Sequence, residues 1–381
     1  MTRVVNPDFV AVKSRLSELD GLRGWAALWV VVFHFGWELF GVRFPVFRNP
    51  VAAAFNGSLA VTVFFVLSGE ALSAGFFSGR GLSQIIALAI KRLPRLTIPA
   101  FFAVLVTYLV ARLGFTQQLQ AAAGITGRQD WLGMMHPEAI SLKSLIKFPL
   151  IDMYVSAGPN FEVIPFLWTM NIEMVGSLLV FVLLMCWSRV HHFAKVVLVF
   201  ALVLLLNKTS AYLADFCFGI IIAQWRYRGL ITAWGERRGV DVGAIASVVV
   251  VLALSSVAAL NDLDERMAPL LAPVFVVAVS LSPHARRFLS ISLSQMLGKI
   301  SFPLYLVHYA IMVSLTTAMI SAVFKHGYLD QKAAFGIIVA STVFALVCAR
   351  VFLPVERLTK WVGYVIGRSL IGESERNLEP R

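Results

Sequence analysis

The stretch LDGLRGWAALWVVVFHFG, residues 19–36, is apolar enough to enter a bilayer, yet it carries an arginine and a histidine. An ionisable side chain inside a membrane helix is costly and needs a cavity or a partner. Arg23 and His34 are eleven residues apart. At 100° per residue that is three turns plus roughly 20°, so the two share a face and lie about 16 Å apart along the axis. Glu38, one turn beyond His34, falls on nearly the same face and can reach a ring nitrogen. Two readings follow. In one, Arg23 snorkels to the headgroups and His34 merely packs; in the other, the pair presents functional groups at two depths.

Composition places this helix in a polytopic membrane protein. The 381 residues are 59% hydrophobic and 14% charged, with a mean hydropathy of +0.79, which excludes an ordinary water-soluble domain. Apolar runs suited to a hydrocarbon core of roughly 30 Å predict an all-α bundle of about ten transmembrane helices, near 22–41, 57–78, 95–113, 163–187, 193–206, 210–226, 240–260, 268–283, 300–324 and 333–353. With both termini cytoplasmic, 23 of the 33 Lys and Arg residues fall on the cytoplasmic side, as the positive-inside rule requires. The net charge of +12 is then a topology signal and an attraction to anionic membrane lipids, with no call for nucleic acid. The expected organisation is a cytoplasmic segment at 1–21, one membrane domain over 22–360 and a cytoplasmic tail at 361–381, with a long outer loop at 114–160. The first 21 residues lack the apolar core of a cleavable signal peptide, so the first helix is expected to serve as an uncleaved anchor. Cys186, Cys217 and Cys348 fall inside helices without metal-ligand spacing, and no metal is expected.

Further ionisable residues recur on other helices. In KRLPRLTIP, Arg92 and Arg95 share a face at what reads as the cytoplasmic start of the third span, where a helix dipole and two forked guanidiniums favour an anion; a positive-inside flank would look the same. FLWTMNIEMVGSL puts Glu173 deep in the fourth span, and KISFPLYLVHYAIM puts Tyr305 and His308 in the ninth. FFVLSGEAL adds Glu70, directly after a Ser68-Gly69 pair that admits close helix approach. The remaining histidines lie in loops or at helix ends. No Gly-rich phosphate loop, H-E-x-x-H or G-x-S-x-G is present.

Six segments in order, ELDGLRGWAALWVVVFH, FFVLSG, KRLPRLTIP, LWTMNIE, LGKISFPLYLVH and LPVERLTKW, resemble the acyltransferase-3 family of integral membrane acyltransferases along nearly the whole chain. The resemblance implies O-acetyltransferase chemistry: an acetyl or other short acyl group moves from cytoplasmic acetyl-CoA to a hydroxyl of an exported or lipid-linked glycan of the cell envelope. It implies a multi-pass protein of the bacterial inner membrane. The family's Arg-x10-His pattern falls on Arg23 and His34, its Arg-x-x-Arg on Arg92 and Arg95, its membrane glutamate on Glu173, its Tyr-Leu-x-His on Tyr305 and His308, and its terminal Val-Glu on Glu356. Where the family commonly has an aromatic residue after Leu67-Ser68-Gly69, this chain has Glu70.

Together these assign His34, Glu173 and His308 to catalysis and Arg23, Arg92 and Arg95 to the CoA phosphates, with Glu38, Glu70, Tyr305 and Glu356 in substrate or structural support. His34 would be general base or transient acyl carrier, oriented by Glu173 or Glu38. A transporter using the same charges as a relay is the competing class; the lack of internal repeats and of paired broken helices disfavours it.

Overall fold

Backbone inside hydrocarbon has to satisfy its own hydrogen bonds, and helices do so segment by segment. The computed structural model describes residues 17–156, 158–187 and 208–371, and all of their side chains but those of 80–84, 208–210 and 367–371; the described residues are helical, with no strand. We label the long helices α1 (Ser17–Phe33), α2 (Gly57–Gly75), α3 (Gly81–Arg112), α4 (Thr169–Cys186), α5 (Lys208–Tyr227), α6 (Val240–Leu260), α7 (Asp264–Leu281), α8 (Ser292–Ile311), α9 (Gln331–Val351) and α10 (Leu353–Ile371). Their starts follow local sequence chemistry: Asn56 accepts from the Leu59 amide ahead of α2, and Asp330 accepts from the Ala333 amide ahead of α9.

Among the described residues, six helices are long and apolar enough to cross a membrane: Pro50–Gly79, Ile85–Arg112, Pro165–Cys186, Val240–Leu260, Ser292–Lys325 and Gln331–Ile366. A seventh is made if Asp264–Leu281 and Pro283–Ser290, bent by 89°, count as one span. The protein is thus an integral membrane helix bundle. The stretches expected to span near 22–41 and 210–226 contain α1 and α5, which are not among these six or seven, and the one at 193–206 lies outside the described residues.

Two helix crossings organise the bundle, and both depend on missing side chains. Where α2 meets α5, a Cβ on Gly69 would overlap the Phe216 carbonyl oxygen and one on Gly219 would overlap that of Val66. Close backbone approach at Ser68-Gly69 is therefore realised. Where α1 meets α8, Gly24 lies against the backbone of Gly298, and Gly298 against the carbonyl of Asp20. Small residues let membrane helices approach closely enough for packing to hold them.

At the end of the bundle where α1 begins, here the inner end, Glu18, Glu70, Arg226 and Ser280 bring together α1, α2, α5 and α7. The opposite, outer end joins Ser58 to Asp264 at 2.5 Å and Asn56 to Ser255 at 2.6 Å. At the inner end α10 runs on from α9 through position 360 and packs along the start of α3, Gly363 beside Lys91.

The 114–160 segment is not a surface loop. Leu119, Ala122, Leu132, Met135, Ile140, Phe148 and Met153 are buried in the same apolar cluster as Phe35 of the first membrane segment, Val104 of α3 and Leu304 of α8. Tyr154 bonds Thr97 at 2.7 Å, and its carbonyl accepts from Asn171 of α4. Thr97 lies fifteen residues along α3 from its outer end at Arg112, about 22 Å at 1.5 Å per residue. The segment thus dips into the bundle.

Gly219→Val should lower stability in detergent by about 1–3 kcal/mol, the usual cost of overpacking. Gly336→Val, in open space on α9, should leave it unchanged; equal melting temperatures for the two variants would contradict the crossing described.

Candidate active site

The outer end of α1 unwinds by one residue into a π turn, His34–Glu38. Such turns cluster at functional sites. Since Arg23 to Phe33 is regular α-helix, the axial offset of Arg23 from His34 stands. The His34 ring stacks on Phe166 at 4.1 Å between centroids, and Trp131 and His308 complete its surroundings at 6.0 and 5.2 Å.

The hydrogen bonds fix the tautomers of the neutral pair. His308, fully buried, places Nδ1 2.6 Å from the backbone carbonyl of Tyr305. A carbonyl only accepts, so His308 Nδ1 carries the hydrogen and its Nε2 is the acceptor. His34 Nδ1 lies 3.2 Å from that Nε2 and must donate to it. The second nitrogen of His34, Nε2, keeps its lone pair and makes no hydrogen bond with the described residues. The Tyr305 hydroxyl bonds the Phe166 carbonyl and, at 2.8 Å, the Thr169 hydroxyl, which ties the His308 turn to the residue stacked on His34.

Toward the inner end lies a cluster of arginines. Arg92 Nη2 donates to Glu173 Oε2, and Arg92 Nε donates to Ser177 Oγ at 2.7 Å. Ser68 Oγ donates to the other Glu173 oxygen at 2.6 Å. Arg23 turns into the bundle, donating to the Leu67 carbonyl at 3.0 Å, where its charge meets those of Glu173 and Arg92. That geometry does not snorkel. Arg95 feels the charges of Arg92, Arg23, Glu173 and Glu356 but is exposed and makes no hydrogen bond or ion pair with the described residues. Glu356 lies in the first turn of α10.

Three expectations change. Glu38 does not touch His34; its carboxylate pairs with Arg128 at 2.7 Å, because the π turn carries it away from a plain i, i+4 position. Glu173 is committed to Arg92 and Ser68, so the group that orients His34 is His308 instead of either carboxylate. Arg92 and Arg95 are not at a helix start, since α3 begins at Gly81 and places them three to four turns inside, beyond the first turn to which the dipole effect is confined. Glu70 pairs with Arg226 of α5 at 2.6 Å, and Arg226 also binds Glu18 at 2.9 Å and Ser280 at 3.0 Å. The unusual carboxylate thus brings its own counter-ion on a neighbouring helix.

Sequence reasoning passed over Arg128, Trp131 and Phe166. Arg128 and Trp131 sit in a stretch without hydrophobic period. Phe166 carried a faint signal, since it directly precedes the Leu-Trp of the fourth motif.

The site thus pairs two histidines, one with a nitrogen that makes no hydrogen bond with the described residues, above an arginine cluster within a membrane helix bundle. Residues 16–353 match the acyltransferase-3 family, described as an acyltransferase domain, and the chain belongs to that family and is an acyltransferase. It is 27% identical over 368 residues to O-acetyltransferase PaAT-1 of Phomopsis amygdali, covering 80% of this chain and 73% of that protein. No solved structure matches it.

Arg226→Ala should strip Glu70 and Glu18 of their counter-charge and cost about 3–5 kcal/mol of stability, as broken buried pairs do. Glu70→Gln, which still offers an acceptor oxygen, should cost less, and the folded fraction of either variant should still transfer acyl groups. Thermal unfolding in detergent measures both; equal losses would detach Glu70 from Arg226.

Proposed function

We propose that the protein is an O-acetyltransferase that takes an acetyl group, or another short acyl group, from acyl-CoA at the inner end and delivers it to a hydroxyl of an exported or lipid-linked glycan arriving from the outer end. The observation that carries the reading is the hydrogen-bond chain from Tyr305 carbonyl through His308 to His34, which leaves His34 Nε2 as a lone pair in an aromatic enclosure. A neutral imidazole nitrogen with its lone pair free can accept a proton as general base.

The donor's phosphates would meet Arg95, with Arg23 and Arg92 setting the positive field. Arg95 is the group left open to do so, since Arg92 is held by Glu173 and Arg23 by Leu67. The pantetheine arm would then cover the roughly 16 Å from Arg23 to His34. His34 Nε2 takes the proton of the acceptor hydroxyl as its oxygen attacks the thioester carbonyl. The C–S bond breaks, and the departing CoA sulfur receives that proton from His34. As imidazolium, His34 would be steadied by His308 Nε2, which accepts the Nδ1 hydrogen throughout. The same lone pair would serve an acyl-histidine route, in which labelled acetyl remains on the protein when acceptor is withheld.

For topology we propose ten spans with both termini cytoplasmic, in a bacterial plasma membrane. The distribution of Lys and Arg supports the orientation. So does the gathering of Glu18, Glu70 and Arg226, which lie at helix ends assigned to one side.

Transfer of radiolabelled acetyl from acetyl-CoA into membrane material is the test. His34→Ala should lose at least about a hundredfold in rate at equal protein level, the lower range for removal of a general base. Full activity in that variant would overturn the assignment. Arg95→Ala should raise the KM for acetyl-CoA about tenfold, as loss of a charge-assisted hydrogen bond worth roughly 1.5–3 kcal/mol requires, with kcat nearly unchanged. An unaltered KM would remove Arg95 from the donor site.

A further inference from the structure

Arg128 belongs to the outer segment, more than ninety residues from His34 in sequence, and it is buried, with 5% of its surface exposed. Its Nη1 donates to the Glu38 carboxylate at 2.7 Å and also to the Glu38 backbone carbonyl at 2.6 Å. That carbonyl lies in the last turn of the first membrane segment, where carbonyls run out of helical N–H partners. Arg128 Nε donates to Asp130 at 3.0 Å. The guanidinium carbon lies 5.1 Å from the centre of the Trp131 ring. That ring in turn stacks with His34, 25° between planes. The His34 and His308 rings are themselves nearly parallel, 3° apart with 5.2 Å between centroids, and joined by the Nδ1–Nε2 hydrogen bond at 3.2 Å.

Arg128 therefore reaches the His34 imidazole by two indirect routes. Through Glu38 it closes the π turn that starts at His34; through Trp131 it backs one of the rings enclosing His34. Resting on the reading of His34 as the base, we propose that Arg128 is a positioning residue, a buried clamp from the outer segment that holds His34 in its hydrogen bond to His308 so that Nε2 faces the reacting groups. A guanidinium suits this task, since its Nη1 serves both Glu38 oxygens while Nε, pointing another way, is held by Asp130 and the charged plane lies beside an aromatic ring.

The test uses the full chain in lipid nanodiscs, labelled acetyl-CoA as donor and a membrane extract of the host as acceptor pool. Arg128→Ala should lower kcat about 10–100-fold, the scale of a displacement near 1 Å at a reacting centre, while the KM and binding affinity for acetyl-CoA stay within about twofold. Arg128→Lys keeps the charge without the fork and should recover only a minor part. Glu38→Gln, in which the backbone carbonyl still receives Arg128, should fall between wild type and Arg128→Ala.

Wild-type turnover in Arg128→Ala overturns the proposal. So does a loss shared equally among turnover, acetyl-CoA binding and melting temperature in both Arg128 variants, which marks a purely structural residue. If Arg128→Ala does not fold, Arg128→Lys and Trp131→Leu decide by the same split between kcat and KM. Full activity in His34→Ala would instead sink the parent assignment, so the two failures are distinguishable.

Discussion

A charge in hydrocarbon needs a counter-charge or a ring of hydrogen bonds, and that constraint ties distant parts of this chain together at three arginines. Arg92 joins α3 to α4 through Glu173. Arg226 joins α5 to α2 and α1 through Glu70 and Glu18. Arg128 joins the outer segment to the end of the first membrane segment through Glu38. Each arginine is answered by a carboxylate on a different element, so each pair fixes a helix neighbour as well as a charge. Arg95 and the Nε2 of His34 lie outside this pairing among the described residues and have capacity left for a substrate.

The packing beneath those pairs is made by small residues. Gly69 and Gly219 bring α2 and α5 close enough for Arg226 to reach Glu70, and Gly24 and Gly298 bring α1 against α8, the helix that carries His308. The pairing of His34 with His308 thus depends on a crossing several turns away. The outer segment supplies the third wall. It descends beside α3 as far as Thr97, and its Trp131 closes one face of the imidazole. A segment with apolar residues scattered among polar ones, without helical period, is suited to such a role, because it can follow the irregular inside of a bundle where it is shielded from lipid.

Much of this was open to reading in the sequence. Hydropathy established a membrane helix bundle, because the length of an apolar run is dictated by bilayer thickness alone. Helical periodicity put Arg23 and His34 on one face, and six short motifs pointed to the family. The small Ser68-Gly69 step announced a close crossing. These are local properties, determined by the rise and twist of one helix or by the residue types within a dozen positions.

Which groups meet across helices was decided only by the tertiary structure. Nothing local distinguishes Glu38 as a partner of Arg128 from Glu38 as a partner of His34; the π turn and the inward course of the outer segment select the first. Arg92 and Arg95 looked like residues at a helix start, and the extra turns of α3 beginning at Gly81 moved them into the interior. His308 was legible as a candidate but not as the acceptor for His34 Nδ1, because that pairing joins residues 274 positions apart. A sequence determines the chemistry each helix can offer. Partner choice is a property of how the helices pack, where desolvation makes every unpaired charge expensive and leaves few arrangements in which all but the working groups are satisfied.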